Sequence, residues 1–234
     1  MLSASIRGLF LPLCLCLGVL ASTVHAVPVL AQPEADDFAS ALIERDFTLP
    51  DAGPFSGELV QNATLVAVEP AGVSLADFSA SATFTNPSDT SVPWDFGFTF
   101  HATGETSQRI YIDSSGAWTY YQYPEGLADS GFTSAFDATP GASNTLDLFV
   151  QGNSASFGLN AEYIATVTLP DPAAADVQVA TGILDSTTIP DRVIPYDNFS
   201  VWQYQSAASD SSSDSGSNVF RITVTPETSD ATTE

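Results

Sequence analysis

The residue types that could do chemistry are dominated by acids: twenty-eight Asp and Glu against five basic residues, all of them arginine. Hydrolysis of a glycosidic bond would need two carboxylates facing one another across the bond. No interior strand-like segment carries paired glutamates, and the nearest grouping of acids, Glu34-Ala35-Asp36-Asp37-Phe38-Ala39, lies near the N-terminus. Calcium is the one cofactor the chain has the donors for, because it takes carboxylates and carbonyls from loops. Loop-like positions hold Asp113, Asp129, Asp137, Asp171, Asp185 and Asp191, of which Asp113 and Asp185 are the metal candidates. No contiguous Asp-x-Asp-x-Asp-Gly loop selects among them, and a loop Asp equally serves as a turn-former.

Nucleophilic catalysis has little to work with. His101 closes an aromatic strand as its polar-facing, half-exposed member, and neither Gly-x-Ser-x-Gly nor a phosphate-cradling glycine loop occurs. The aromatic residues offer more. In Trp118-Thr119-Tyr120-Tyr121-Gln122-Tyr123, period-two alternation sends Trp118 and Tyr120 to one face and Tyr121 and Tyr123 to the other. Whichever pair faces water is a stacking platform for a sugar, with Trp202 and Tyr204 as a second candidate. Asn62-Ala63-Thr64 and Asn198-Phe199-Ser200 match a glycosylation acceptor pattern, read here as incidental.

The elements that must position these residues begin after an export signal. A short stretch from Met1 to Arg7 with one positive charge is followed by an apolar run, Gly8 to Ala21, and then small residues. Cleavage after Ala26 or after Ala31 fits the small-residue rule, and the second is preferred, giving a signal peptide over 1–31. Both cysteines, the single methionine and His25 leave with it, so the mature chain has no thiol and one histidine. About 200 residues remain, enough for one sandwich held by its core. The net charge of −23 excludes nucleic acid, whose phosphates require a basic surface, and disfavours anionic membranes. No stable membrane insertion is expected once the signal is removed, and the expected location is secreted or on the cell surface.

Residues 32–56 read as a tail or lead-in with a short helix over 36–44. From Gly57 the pattern becomes short apolar alternations between Gly, Pro, Asn, Asp and Ser, as in an all-β sandwich. Strands are predicted over 77–85, 94–101, 109–112, 117–123, 146–150, 154–159, 163–169, 177–184 and 198–204. Trp94, Phe96, Phe98 and Phe100 form one inward ridge. Asn160-Ala161 reverses the chain, Asn being tolerant of positive φ. The Ser-rich tract 206–217 is a flexible loop, 219–224 one further strand, and 226–234 an acidic tail, so the sandwich domain is placed over 57–225.

The order of these pieces resembles a group of bacterial exported concanavalin A-like domains, related in fold to laminin G modules and legume lectins. The matching stretches are Leu75-Ala76-Asp77-Phe78 through Thr85-Asn86-Pro87, Trp94 through Phe100, Arg109-Ile110-Tyr111-Ile112 through Trp118, Asn144 through Val150, Phe157 through Val167, and Tyr196 through Trp202. Coverage runs from about Gly57 to Gln203, with Ala161 where the family's hairpin turn usually has Gly. The Ser-rich tract and the strand after it depart from the pattern. The resemblance implies an antiparallel jelly-roll sandwich of the lectin/glucanase type. The glucanases of that fold carry Glu-x-Asp-x-x-Glu on a strand, which this chain lacks, so the non-catalytic type is the one resembled.

A non-catalytic recognition module for an extracellular glycan or cell-surface component is therefore the expectation, with Trp118, Tyr120, Tyr121, Tyr123 and Trp202 as candidate ligand contacts. A structural or envelope-associated sandwich with no small ligand is the alternative, and a glycoside hydrolase ranks third.

Overall fold

The computed structural model describes residues 38–39, 49–61, 65–170, 172–182 and 191–204. The export signal, the Ser-rich tract, the strand over 219–224, the acidic tail, Asp171, Asp185 and the 62–64 acceptor site lie outside the described residues, as does the lead-in helix apart from two helical residues at 38–39.

Among the described residues, twelve strands form two six-stranded antiparallel sheets. The first sheet runs, from edge to edge, β1 (Ala52–Val60), β12 (Val193–Gln203), β3 (Phe78–Thr85), β8 (Ser143–Gln151), β9 (Ser154–Leu159) and β10 (Glu162–Thr168). The second runs β2 (Ala67–Pro70), β11 (Gln178–Thr181), β4 (Asp95–Thr103), β5 (Thr106–Asp113), β6 (Ala117–Tyr123) and β7 (Gly126–Phe132). Register follows the alternation of the sequence. Phe78, Ala80 and Ala82 of β3 pair with Val150, Leu148 and Leu146 of β8, and all of them are buried. Phe96 and Phe98 of β4 sit opposite Ile112 and Ile110 of β5. Phe84 stacks on Phe96 at 4.5 Å across the two sheets, so the aromatic ridge meets the inner face of β3 and fills the core.

The strands β1, β2 and β7 were not legible in advance. β1 begins at Ala52, five residues inside the expected lead-in, because Gly53-Pro54 and two register shifts against β12 interrupt its alternation. Proline is tolerated there because β1 is an edge strand. β7, Gly-Leu-Ala-Asp-Ser-Gly-Phe, reads as a loop. Its Gly131 lies opposite Trp118, whose indole stands 2.7 Å from where a Cβ would be, so the glycine makes room for a core tryptophan. The reversal after β9 does use positive φ, at Asn160 (52°) and also at Ala161 (66°).

The end of the sandwich near that reversal is tied by side-chain amides. Asn144 Nδ2 donates to Asn86 Oδ1 at 3.0 Å and to the Asp137 carbonyl at 3.0 Å, and Asn160 Nδ2 donates to Asn144 Oδ1 at 2.9 Å. Asn86 Nδ2 in turn donates to the Asp137 and Thr139 carbonyls. These bonds hold the 133–142 connection against the sheet, where Phe136 packs on Trp94 and Phe96.

Candidate functional site

The pairing of β6 decides between the two aromatic pairs. Trp118 and Tyr120 point inward. Trp118 is 8 % exposed and meets Phe157 edge-on at 5.3 Å, while the buried Tyr120 hydroxyl donates to Gln108 Oε1 at 2.6 Å and accepts from Gln122 Nε2 at 3.0 Å. Both are core residues and cannot stack on a ligand, which removes them from the candidate contacts. Tyr121 and Tyr123 point outward, Tyr123 with 45 % of its surface exposed.

Trp202 belongs elsewhere. It pairs with Ser79 and so lies half-buried on the outer face of the first sheet. There Phe149, Phe38, Tyr163 and Tyr204 form a second apolar cluster, with Phe149 and Tyr204 edge-on at 5.0 Å. The five candidate contacts thus divide among the core and two opposite faces.

The outward face of the second sheet carries Tyr121 in a row set by the ladder: Gln178, Thr99, Arg109, Tyr121, Leu127, on β11, β4, β5, β6 and β7 in turn. The next row is Ala180, Gly97, Tyr111, Thr119 and Ser130, and Ser107 faces Tyr123 on the other side. Directly opposite residues in such ladders lie about 5 Å apart at Cβ and act as one surface. Arg109 Nε donates to Ser107 Oγ at 3.2 Å, and its guanidinium carbon lies 5.4 Å from the Tyr123 ring centroid. A Cβ at Gly97 would come within 2.8 Å of the Tyr111 ring, so the glycine lets that tyrosine lie down on the sheet. Burial pushes the Tyr111 hydroxyl up to about 12, and the Arg109 cation beside it acts in the opposite sense. The Tyr111 and Thr99 hydroxyls are buried with no hydrogen-bond partner of good geometry.

Arg109, Thr99, Tyr111 and Leu127, which share the outward rows with Tyr121, were not singled out in the sequence. The signal available was arithmetic: an arginine is scarce in this chain, and Arg109 stands on the outward face of a strand whose alternate residues, Ile110 and Ile112, are core.

Asp113 serves its turn through one carboxylate oxygen. Its Oδ1 accepts from the Ser115 amide at 2.7 Å, the Ser115 hydroxyl at 2.6 Å and the Ala117 amide at 3.2 Å, closing the turn between β5 and β6. Among the described residues no three His, Cys, Asp or Glu side chains converge on a point that could hold an ion. His101 is not half-exposed: it is 3 % exposed, at φ 48° in a register shift between Phe100 and Thr103. That irregularity swings the imidazole inward, where it meets Phe78 and Phe100 edge-on and its Nε2 lies 3.0 Å from the Ala76 carbonyl. Burial lowers its pKa, against the opposing pull of that hydrogen bond and of Asp77.

No protein-family model matches the chain, and no curated protein matches it in sequence. Solved structures do match in fold. A carbohydrate-binding module of family 66 from Bacillus subtilis superposes with a TM-score of 0.50 at 8 % identity, covering 66 % of this chain and 99 % of the module. A fructosyltransferase from A. japonicus gives 0.50 at 14 % identity, covering 68 % of this chain and 27 % of the enzyme. Sheep galectin-11 gives 0.42 at 15 % identity over 66 % of this chain. Two antiparallel sheets packed on an aromatic core, with neighbours of this kind, make the protein a jelly-roll sandwich of the concanavalin-like type.

Proposed function

We propose that the protein is an exported, non-catalytic module that recognises a glycan on the outer face of its second sheet. The observation that carries this reading is the outward pair Tyr121 and Tyr123, held by the ladder beside Arg109 and Leu127. Tyrosine rings on a rigid strand give a sugar an apolar face to stack on, and the neighbouring Arg109, Thr119 and Gln178 supply hydrogen-bonding groups for its hydroxyls. The fold shared with a carbohydrate-binding module agrees with this use, although folds host many functions and the face is what supports the reading.

The test is a glycan-array screen of the mature chain, run with calcium and again with chelator, beside the Tyr121→Ala and Tyr123→Ala variants. Specific binding that falls at least tenfold in either variant is the expected result. Loss with chelator would add a calcium requirement, for which Asp113 and Asp185 are the candidates. Binding that both variants retain would move the site off this face. A structural role is the second reading, favoured by Leu127 and Phe132 on edge strand β7, which are 61 % and 80 % exposed. An empty array together with self-association of the chain in sedimentation would support it.

A further inference from the structure

We infer that the ligand of this face is a largely neutral glycan bearing an isolated carboxylate, and that Arg109 is the residue that grips it. The inference rests on the glycan reading of the face and deepens it. Arg109 donates from Nε to Ser107, lies over Tyr123 and has the Tyr111 hydroxyl beside it, all of them neutral partners, and among the described residues no carboxylate pairs with it. With twenty-eight acids in the chain, an arginine without an acidic partner is not explained by scarcity of carboxylates. Arg192, the other described arginine, is different: it is buried, and its Nη1 donates to the Val92 and Pro93 carbonyls at 3.0 Å each, bracing the chain before β4. Arg109 instead turns its guanidinium to neutral neighbours, the Tyr111 hydroxyl and the Tyr123 ring, in the middle of the row that contains Tyr121.

A guanidinium presents a planar fork that matches a carboxylate through two parallel N–H···O bonds. The Tyr123 ring and the Ser107 hydroxyl hold the Arg109 side chain in place before a ligand arrives, which lowers the ordering cost of using it. The charge of the whole chain sets the kind of acid. At −23 the molecule repels anionic polymers, so a ligand charged at every sugar is disfavoured, whereas one carboxylate meets the fork at contact distance. Beyond a Debye length of about 8 Å at physiological ionic strength the remaining charges are largely screened.

The experiment prints matched pairs: glucuronosyl-xylotriose, a galacturonate-capped galactan oligomer and sialyl-lactose, each beside its carboxyl-reduced form, with polygalacturonate as the polyanion. Mature wild type should bind the acidic member of at least one pair roughly tenfold better than the reduced member. Arg109→Gln should lose the preference and bind the two members equally, at or below the level at which wild type binds the reduced one, with unchanged melting temperature; Arg109→Lys should recover only part of the preference. Equal binding of both members by wild type, a preference that survives in Arg109→Gln, or strongest binding to polygalacturonate would each overturn the inference. If neutral glycans bind through Tyr121 and acids bring no advantage, the inference falls and the glycan reading stands. If no glycan binds in either screen, both fall.

Discussion

At the scale of single residues, Trp118 and Tyr121 stand three positions apart in one strand and carry opposite consequences. Truncating Trp118 removes a core ring from its edge-on contact with Phe157 and leaves a cavity, so Trp118→Ala should cost about 3–5 kcal/mol, read from the urea midpoint. Tyr121→Ala lies on the surface, should stay within about 0.5–1 kcal/mol of wild type, and should nevertheless lose glycan binding. A variant pair behaving the other way, with Tyr121→Ala unfolded and Trp118→Ala stable, would show that β6 faces the other way. The alternation itself was legible in the sequence, because period two separates the two pairs whatever the fold. Its sign was not, since both faces of the segment are aromatic. What settles the sign is Gly131 on β7, which lies opposite Trp118 and leaves room for its indole, and β7 was itself unrecognised.

At the scale of elements, the central strands were legible, and of the four edge strands only β10 was. β3, β4, β6, β8 and β9 send alternate apolar residues into the core, and the segments 117–123 and 154–159 were read with the bounds they have. β1, β2 and β7 are the edge strands or short partners that carry Gly, Pro and Asp, where packing on one face no longer shapes composition. The lead-in was also undervalued. Phe38 is 2 % exposed, lies tilted at 5.8 Å from Tyr163, and rests where a Cβ at Gly158 would be, 2.7 Å from its ring. It covers the outer face of the first sheet, a role invisible in a segment that lies outside the β pattern. Phe38→Ala should therefore destabilise the domain by about 3 kcal/mol. For a domain of this size that is a fall in melting temperature on the order of 6–12 °C. Leu49→Ala, at a residue exposed to solvent, is the control and should leave it unchanged. Equal melting temperatures for Phe38→Ala and wild type would return the lead-in to the status of a tail.

At the scale of the whole molecule, acidity and a single buried imidazole act in different pH windows. His101 has its pKa lowered in the folded state by burial, while in the unfolded chain it titrates near its ordinary value of about 6.5. Above about pH 6.5 both states hold it neutral and it contributes no pH dependence. As pH falls below that value the unfolded chain takes up a proton that the folded one refuses, so stability declines, by at most about 1.4 kcal/mol per pH unit for one group. The surface carboxylates act lower. Asp137 and Asp197 are held below the usual carboxylate range by side-chain hydrogen bonds from Thr139 and Ser56, so their contribution persists above about pH 4 and is lost beneath it. Denaturant unfolding at intervals from pH 7.5 to 4.8 separates the two. Wild type should lose stability from about pH 6.5 downward. His101→Asn, which accepts the positive φ and cannot ionise, should start lower for want of the Ala76 contact but run flat to about pH 5. Parallel slopes for the two proteins would mean that the imidazole protonates as readily inside the fold as outside it, against its burial between Phe78 and Phe100.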